Sequence, residues 1–156
     1  MGNRASISVE GSNQTIFVHW NGGKGSIMAF VREANRRCQA SKYEPEKSND
    51  DLLTFDDNEN LDPDVYMIEL YSAIRQFFSF SGEQKHRGRD SLSLRIFNSI
   101  QKNDEDNKHY HVNGNGSIDF SGSKLIENQE YTEGCFKDIT SFFKQADNLL
   151  LTSDFD

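Results

Sequence analysis

The stretch from Ala5 to Cys38 constrains the fold more than any other part of the chain. Ser6 to Glu10 alternates polar and apolar residues, with Ile7 and Val9 on one face. Thr15 to Trp20 repeats the pattern, with Ile16, Val18 and Trp20 on one face and Phe17 and His19 on the other. A period of two over β-branched and aromatic residues predicts strands. Gly11-Ser12-Asn13-Gln14 between them is turn chemistry, so the two strands are expected to form a hairpin. Asn21-Gly22-Gly23-Lys24-Gly25 follows, where glycines open the left-handed backbone region to a tight turn. With Ser26 as N-cap, Ile27, Phe30, Val31, Ala34 and Cys38 fall on one stripe of a helix. Arg32, Glu33, Arg36 and Arg37 fall away from that stripe. The helix is expected to lie across the hairpin.

The later chain supplies more elements. Asp62-Pro63 starts a helix expected to run to Phe80, with the Asp as cap and Pro at the first helical position. Its apolar face holds Met67, Leu70, Tyr71, Ile74, Phe77 and Phe78, widened by Val65 and Ile68. Alternation through Leu92, Leu94 and Ile96 predicts a strand. His109 to Val112 and Ser117 to Phe120, joined by Asn113-Gly114-Asn115-Gly116, read as a second hairpin. Glu130 to Leu151 is a third helix, with Cys135, Phe136, Ile139, Phe142, Phe143 and Ala146 on one face. The fold expected is a single α+β domain over residues 1–156. In it an antiparallel sheet of about five strands is packed by three helices near 26–38, 63–80 and 133–148.

Charge is the sharpest functional signal. Between Asp50 and Glu69 there are eight acidic residues and no Lys or Arg, within a chain of net charge −8. The polar segment at about 39–61 is expected to be a loop. Such a balance argues against broad contact with duplex phosphate and favours a basic protein partner. Asp50, Asp51, Asp56, Asp57, Glu59, Asp62 and Asp64 are the candidate partner-binding residues. Asp56, Asn58 and Asn60 begin like a calcium loop, but Leu61 and Met67 stand where that loop needs Gly and a bidentate Glu. Lys85, His86, Arg87 and Arg89 form a short basic cluster that reads as a solvated turn.

Two other candidates arise. Gly22, Gly23, Lys24, Gly25 and Ser26 at a helix start have the makings of an anion-binding loop, although the P-loop frame is missing. His109 and His111 share a strand face near Asp104 and Asp106, which suggests a transition-metal site lacking a clear third ligand; the plainer expectation is two exposed strand residues. No hydrolase, zinc-protease or kinase motif is present, so no catalytic residue, metal or cofactor is expected. Cys38 and Cys135 fall on helix core faces and read as reduced residues of a cytoplasmic protein. Mean hydropathy of −0.76 predicts no membrane span, and no apolar leader pattern follows Met1. Met1-Gly2 with Ser6 fits the loose myristoylation pattern, but a strand starting at Ala5 argues against that reading.

The opening Met1-Gly2-Asn3-Arg4-Ala5-Ser6-Ile7, with His19-Trp20-Asn21-Gly22-Gly23 and a helix after it, resembles a group of small bacterial, prophage and plasmid proteins. The resemblance spans about the first forty residues. That group has no assigned activity, so no functional residue is carried over. The resemblance implies a mobile-element setting, where small acidic proteins often inhibit host defence systems, including CRISPR effectors. The expectation is therefore an inhibitor that docks by its acidic surface onto a basic, nucleic-acid-binding host protein.

Overall fold

The computed structural model describes residues 3–39, 62–80, 94–103, 106–121 and 129–152. Five strands are present: β1 (Ala5–Val9), β2 (Thr15–Val18), β3 (Leu94–Phe97), β4 (His109–Val112) and β5 (Ile118–Ser121). Three helices accompany them: α1 (Lys24–Cys38), α2 (Pro63–Phe80) and α3 (Gln129–Thr152). The strands form one sheet in the order β3-β2-β1-β4-β5. Both expected hairpins are there, as β1–β2 and β4–β5.

The sheet is mixed, which corrects the expectation of a purely antiparallel one. β1 and β4 run parallel, with Ser6 opposite His109 and Ser8 opposite His111. Parallel neighbours need a crossover. Residues 98–103 begin that crossover by passing over the sheet face that bears Thr15 and Ser6. The Thr15 hydroxyl donates to Ser99 O at 2.8 Å, Gln101 N–H donates to Thr15 Oγ1 at 3.0 Å, and Asn103 N–H donates to Ser6 Oγ at 2.9 Å.

Alternation splits β1 between two environments. Ala5, Ile7 and Val9 join Ile16, Val18, Tyr110 and Val112 in the apolar core under the helices. Ser6 and Ser8 face the other way, yet they are only 2% and 3% exposed. Within the helical layer Phe30 of α1 meets Phe77 of α2 edge-on, with ring centroids 5.6 Å apart. Phe77 meets Phe142 of α3 in the same way at 5.2 Å. The Tyr66 hydroxyl on α2 donates to Val31 O at 3.4 Å, and burial holds its pKa well above the ordinary phenol value.

Three local expectations change. α1 begins at Lys24 with Gly23 as its N-cap, so Ser26 lies inside the helix, buried, and caps nothing. Glu33 is 3% exposed, although its position pointed to solvent. It accepts from Arg36 Nε and Nη2 at 2.7 Å each and from Arg37 Nε at 2.8 Å. Arg37 then donates to Gln76 of α2 at 2.6 Å and lies over the Phe143 ring of α3. A buried carboxylate needs such donors, and here they also tie three helices together. Val65 and Ile68 do not widen the buried face of α2; they are 49% and 64% exposed.

The early glycines supply space rather than left-handed backbone. The residue with positive φ in that loop is Asn21, at φ 57°, while Gly23 sits at φ −67°. A Cβ on Gly22 would lie 2.5 Å from Asn3 O, and one on Gly25 would lie 2.1 Å from Thr132 O of α3. Gly134 on α3 meets nothing within 4 Å. Gly25→Ala is therefore expected to lower unfolding free energy by roughly 2–3 kcal/mol through forced separation of two helices. Gly134→Ala is expected to raise it by about 0.5–1 kcal/mol through helix propensity alone. Urea denaturation of the two variants checks both signs.

Candidate functional site

The polar sheet face carries a continuous hydrogen-bonded chain that the sequence did not announce. Ser6 and Ser8 on β1 stand in register with His109 and His111 on β4. Ser6 Oγ lies 2.6 Å from His109 Nδ1, Ser8 Oγ 2.8 Å from His109 Nε2, and Ser8 Oγ 2.7 Å from His111 Nδ1. His109 is 3% exposed, which corrects the expectation of two exposed strand residues; His111 is half-buried.

The direction of the protons follows from what each group can donate. Asn103 N–H donates to Ser6 Oγ. If Ser6 also accepted from His109, its own hydroxyl proton would be buried with no acceptor, at a cost of about 1–3 kcal/mol. Ser6 therefore donates to His109 Nδ1. A neutral imidazole has one N–H, so His109 donates from Nε2 to Ser8 Oγ. Ser8 in turn donates to His111 Nδ1. The chain ends at the half-buried ring, beside a cavity of about 460 Å³ lined by Ser8, Glu10, Ser12, Lys102, His111 and Asp119 among others. Asp119 on β5 is the register partner of His111.

Burial, the Lys102 ammonium and His111 together pull the His109 pKa down to about 4. His109 is thus a neutral hydrogen-bond relay at physiological pH. Both of its ring nitrogens are engaged by serine, and among the described residues no three His, Cys, Asp or Glu side chains group as a metal site would need.

The residues that carry the resemblance meet at the opposite end of the sheet. Asn3 N–H donates to His19 O at 2.9 Å, and Gly22 N–H donates to Asn3 O at 2.8 Å. Arg4 donates to Asp106 Oδ2 from its backbone N–H and from Nε, each at 2.9 Å. The Arg4 backbone N–H is the leading cause that holds the Asp106 carboxyl below its ordinary pKa. Asn107 Nδ2 donates to Asn3 Oδ1. Asn21, Asp106 and Lys108 all have positive φ here, between 48° and 61°. Asn and Asp tolerate that region best, whereas Lys108 is held there with its carbonyl accepting from Ser6 N–H at 3.0 Å.

The other sequence candidates are scattered. Asp50, Asp51, Asp56, Asp57 and Glu59 lie outside the described residues, as do Asp104 and the basic cluster from Lys85 to Arg89. Asp62 and Asp64 are exposed at the start of α2, where Asp62 Oδ1 accepts the Asp64 N–H at 3.0 Å. Gly22, Gly23, Gly25 and Ser26 are buried, and Lys24 alone of that group is exposed. The Tyr110 hydroxyl donates to Gly22 O at 3.0 Å, so the loop is packed against the sheet. Cys38 and Cys135 are unbridged and half-buried; burial, Glu69 and Asp62 push the Cys38 thiol up to about 11. Among the described residues no helix is long and apolar enough to cross a membrane.

Unfolded histidine titrates near 6.5, and folded His109 near 4, so the unfolded chain takes the proton first. The stability that His109 contributes is expected to be fully present above about pH 6.5 and to fall by about 3 kcal/mol as pH drops to 4. His109→Asn is expected to remove most of that slope in urea titrations across this range. Nitrogen-15 NMR at neutral pH is expected to show the Nε2–H tautomer at His109 and an unprotonated Nδ1 at His111. Comparison of the chain with protein-family models, with curated proteins and with solved structures found no match.

Proposed function

We propose that the protein is a binding protein that docks through its carboxylates onto a basic, nucleic-acid-binding host protein, a CRISPR effector being the partner that the opening motif suggests. The observation that carries this reading is the run of eight acidic residues between Asp50 and Glu69 without one Lys or Arg. The described end of that run adds support. Asp62 and Asp64 are exposed at the start of α2, and Val65 and Ile68 beside them are 49% and 64% exposed. Exposed apolar side chains next to carboxylates make an anchor with an acidic rim, the usual composition of a protein docking patch. Carboxylates placed to mimic phosphates would steer encounter with Lys and Arg of a nucleic-acid groove. Docking of this kind needs no chemistry from the chain.

Binding to a CRISPR effector, measured by calorimetry at two salt concentrations, is the test. Affinity is expected to fall steeply with salt. Replacing Asp50, Asp51, Asp56, Asp57 and Glu59 by Asn or Gln is expected to weaken binding at least about tenfold and to flatten the salt dependence. Val65→Ser with Ile68→Ser is expected to weaken it without changing the salt slope. Unchanged binding by the carboxylate variant overturns the charge mechanism.

A further inference from the structure

We propose that Ser8 is the nucleophile of an acyl-transfer site on the polar sheet face, with His111 as its general base, and that the site takes small polar esters. The site lies on the opposite side of the sheet from the helices, so it is independent of the α2 docking patch.

Three adjacent strands bring Ser8, His111 and Asp119 into one row, and all three line the same cavity. Ser8 Oγ donates to His111 Nδ1 at 2.7 Å, the separation a base needs to take a hydroxyl proton. His109 Nε2–H donates to Ser8 Oγ at 2.8 Å, which fixes the hydroxyl and leaves it one lone pair for attack. Ser6 holds His109 in that orientation, and the Asn103 backbone holds Ser6. Nucleophile, base and orienting groups are thus all supported by a sheet. A buried hydroxyl between two imidazoles is an expensive way to pack a strand, since each polar group must be satisfied. Apolar residues would cover the face at lower cost.

The reaction balances within the site. Ser8 Oγ attacks the carbonyl carbon of the ester while its proton passes to His111 Nδ1. The carbonyl oxygen becomes an oxyanion, and the Lys102 ammonium on the cavity wall is the cation available to it. The C–O bond to the leaving alcohol then breaks, and the alcohol takes the proton from His111. Water, deprotonated by His111, cleaves the acyl-Ser8 ester and restores the hydroxyl. Asp119 is exposed and is the register partner of His111 on the same sheet face. It is not hydrogen-bonded to His111 in the free protein; such bonds often tighten when substrate is bound.

The native chain is incubated with a fluorophosphonate probe, digested and mapped by mass spectrometry. The Ser8 oxygen forms a bond to phosphorus, fluoride leaves, and the hydroxyl proton goes to His111. The expected result is a phosphonyl adduct on Ser8 that is absent from urea-unfolded chain, together with a burst of p-nitrophenol from p-nitrophenyl acetate. His111→Gln is expected to slow labelling about a hundredfold, and Ser8→Ala to abolish it, with folding of each variant checked by circular dichroism. The proposal is overturned if Ser8 stays unmodified in the folded wild-type chain, a result that needs no variant. Equal labelling rates in folded His111→Gln overturn it as well.

Discussion

Everything in this structure depends on β1 being covered on both faces. A central strand of five residues, all buried, must satisfy two different surroundings at once. Its odd positions, Ala5, Ile7 and Val9, are apolar and sit under the helical layer. Its even positions are serines, and serine can be buried only where each hydroxyl finds partners. β4 supplies those partners because it runs parallel to β1 and lays His109 and His111 opposite the serines. Had β4 entered shifted by one residue, the imidazoles would face the apolar core and Tyr110 and Val112 would face the serines. Register and polar satisfaction therefore enforce one another.

The helical layer solves a related problem with charge. α1 lies between α2 and α3, so its solvent side is narrow and Glu33 is enclosed. Two neighbouring arginines compensate it, and Arg37 spends its remaining donors and its ring-facing plane on α2 and α3. Edge-to-face phenylalanines from all three helices fill the space beside it. Ile, Val and Leu make up most of the buried core, and the phenylalanines gather where the three helices meet, each ring burying a large area.

Residues that share a face within one segment are legible in the sequence. The two hairpins, the helix over 63–80 and the stripe of Ile27, Phe30, Val31 and Ala34 follow from local period, turn chemistry and capping. Residues whose role depends on a distant segment were not legible. His109 and His111 showed their shared face, but not that Ser6 and Ser8, about a hundred positions away in sequence, would take their nitrogens. An alternating Ser-Ile-Ser-Val strand followed much later by His-Tyr-His-Val offers matching patterns, yet nothing in either segment tells which strands pair. Val65 and Ile68 read as buried because they are apolar, while burial is decided by what packs opposite them.

The amino-acid sequence by itself determined the α+β class, the two hairpins, the bounds of α2 and an acidic surplus of eight charges. These are properties of short segments and of sums, which neighbouring residues settle among themselves. The tertiary structure alone decided the parallel β1–β4 pair, the burial of Glu33 and the hydroxyl–imidazole chain that opens into the cavity. The strand pairing and the hydroxyl–imidazole chain require the crossover after β3 to pass over the Ser6 side of the sheet, and the burial of Glu33 requires α2 and α3 to pack on α1; segments distant in sequence settle both.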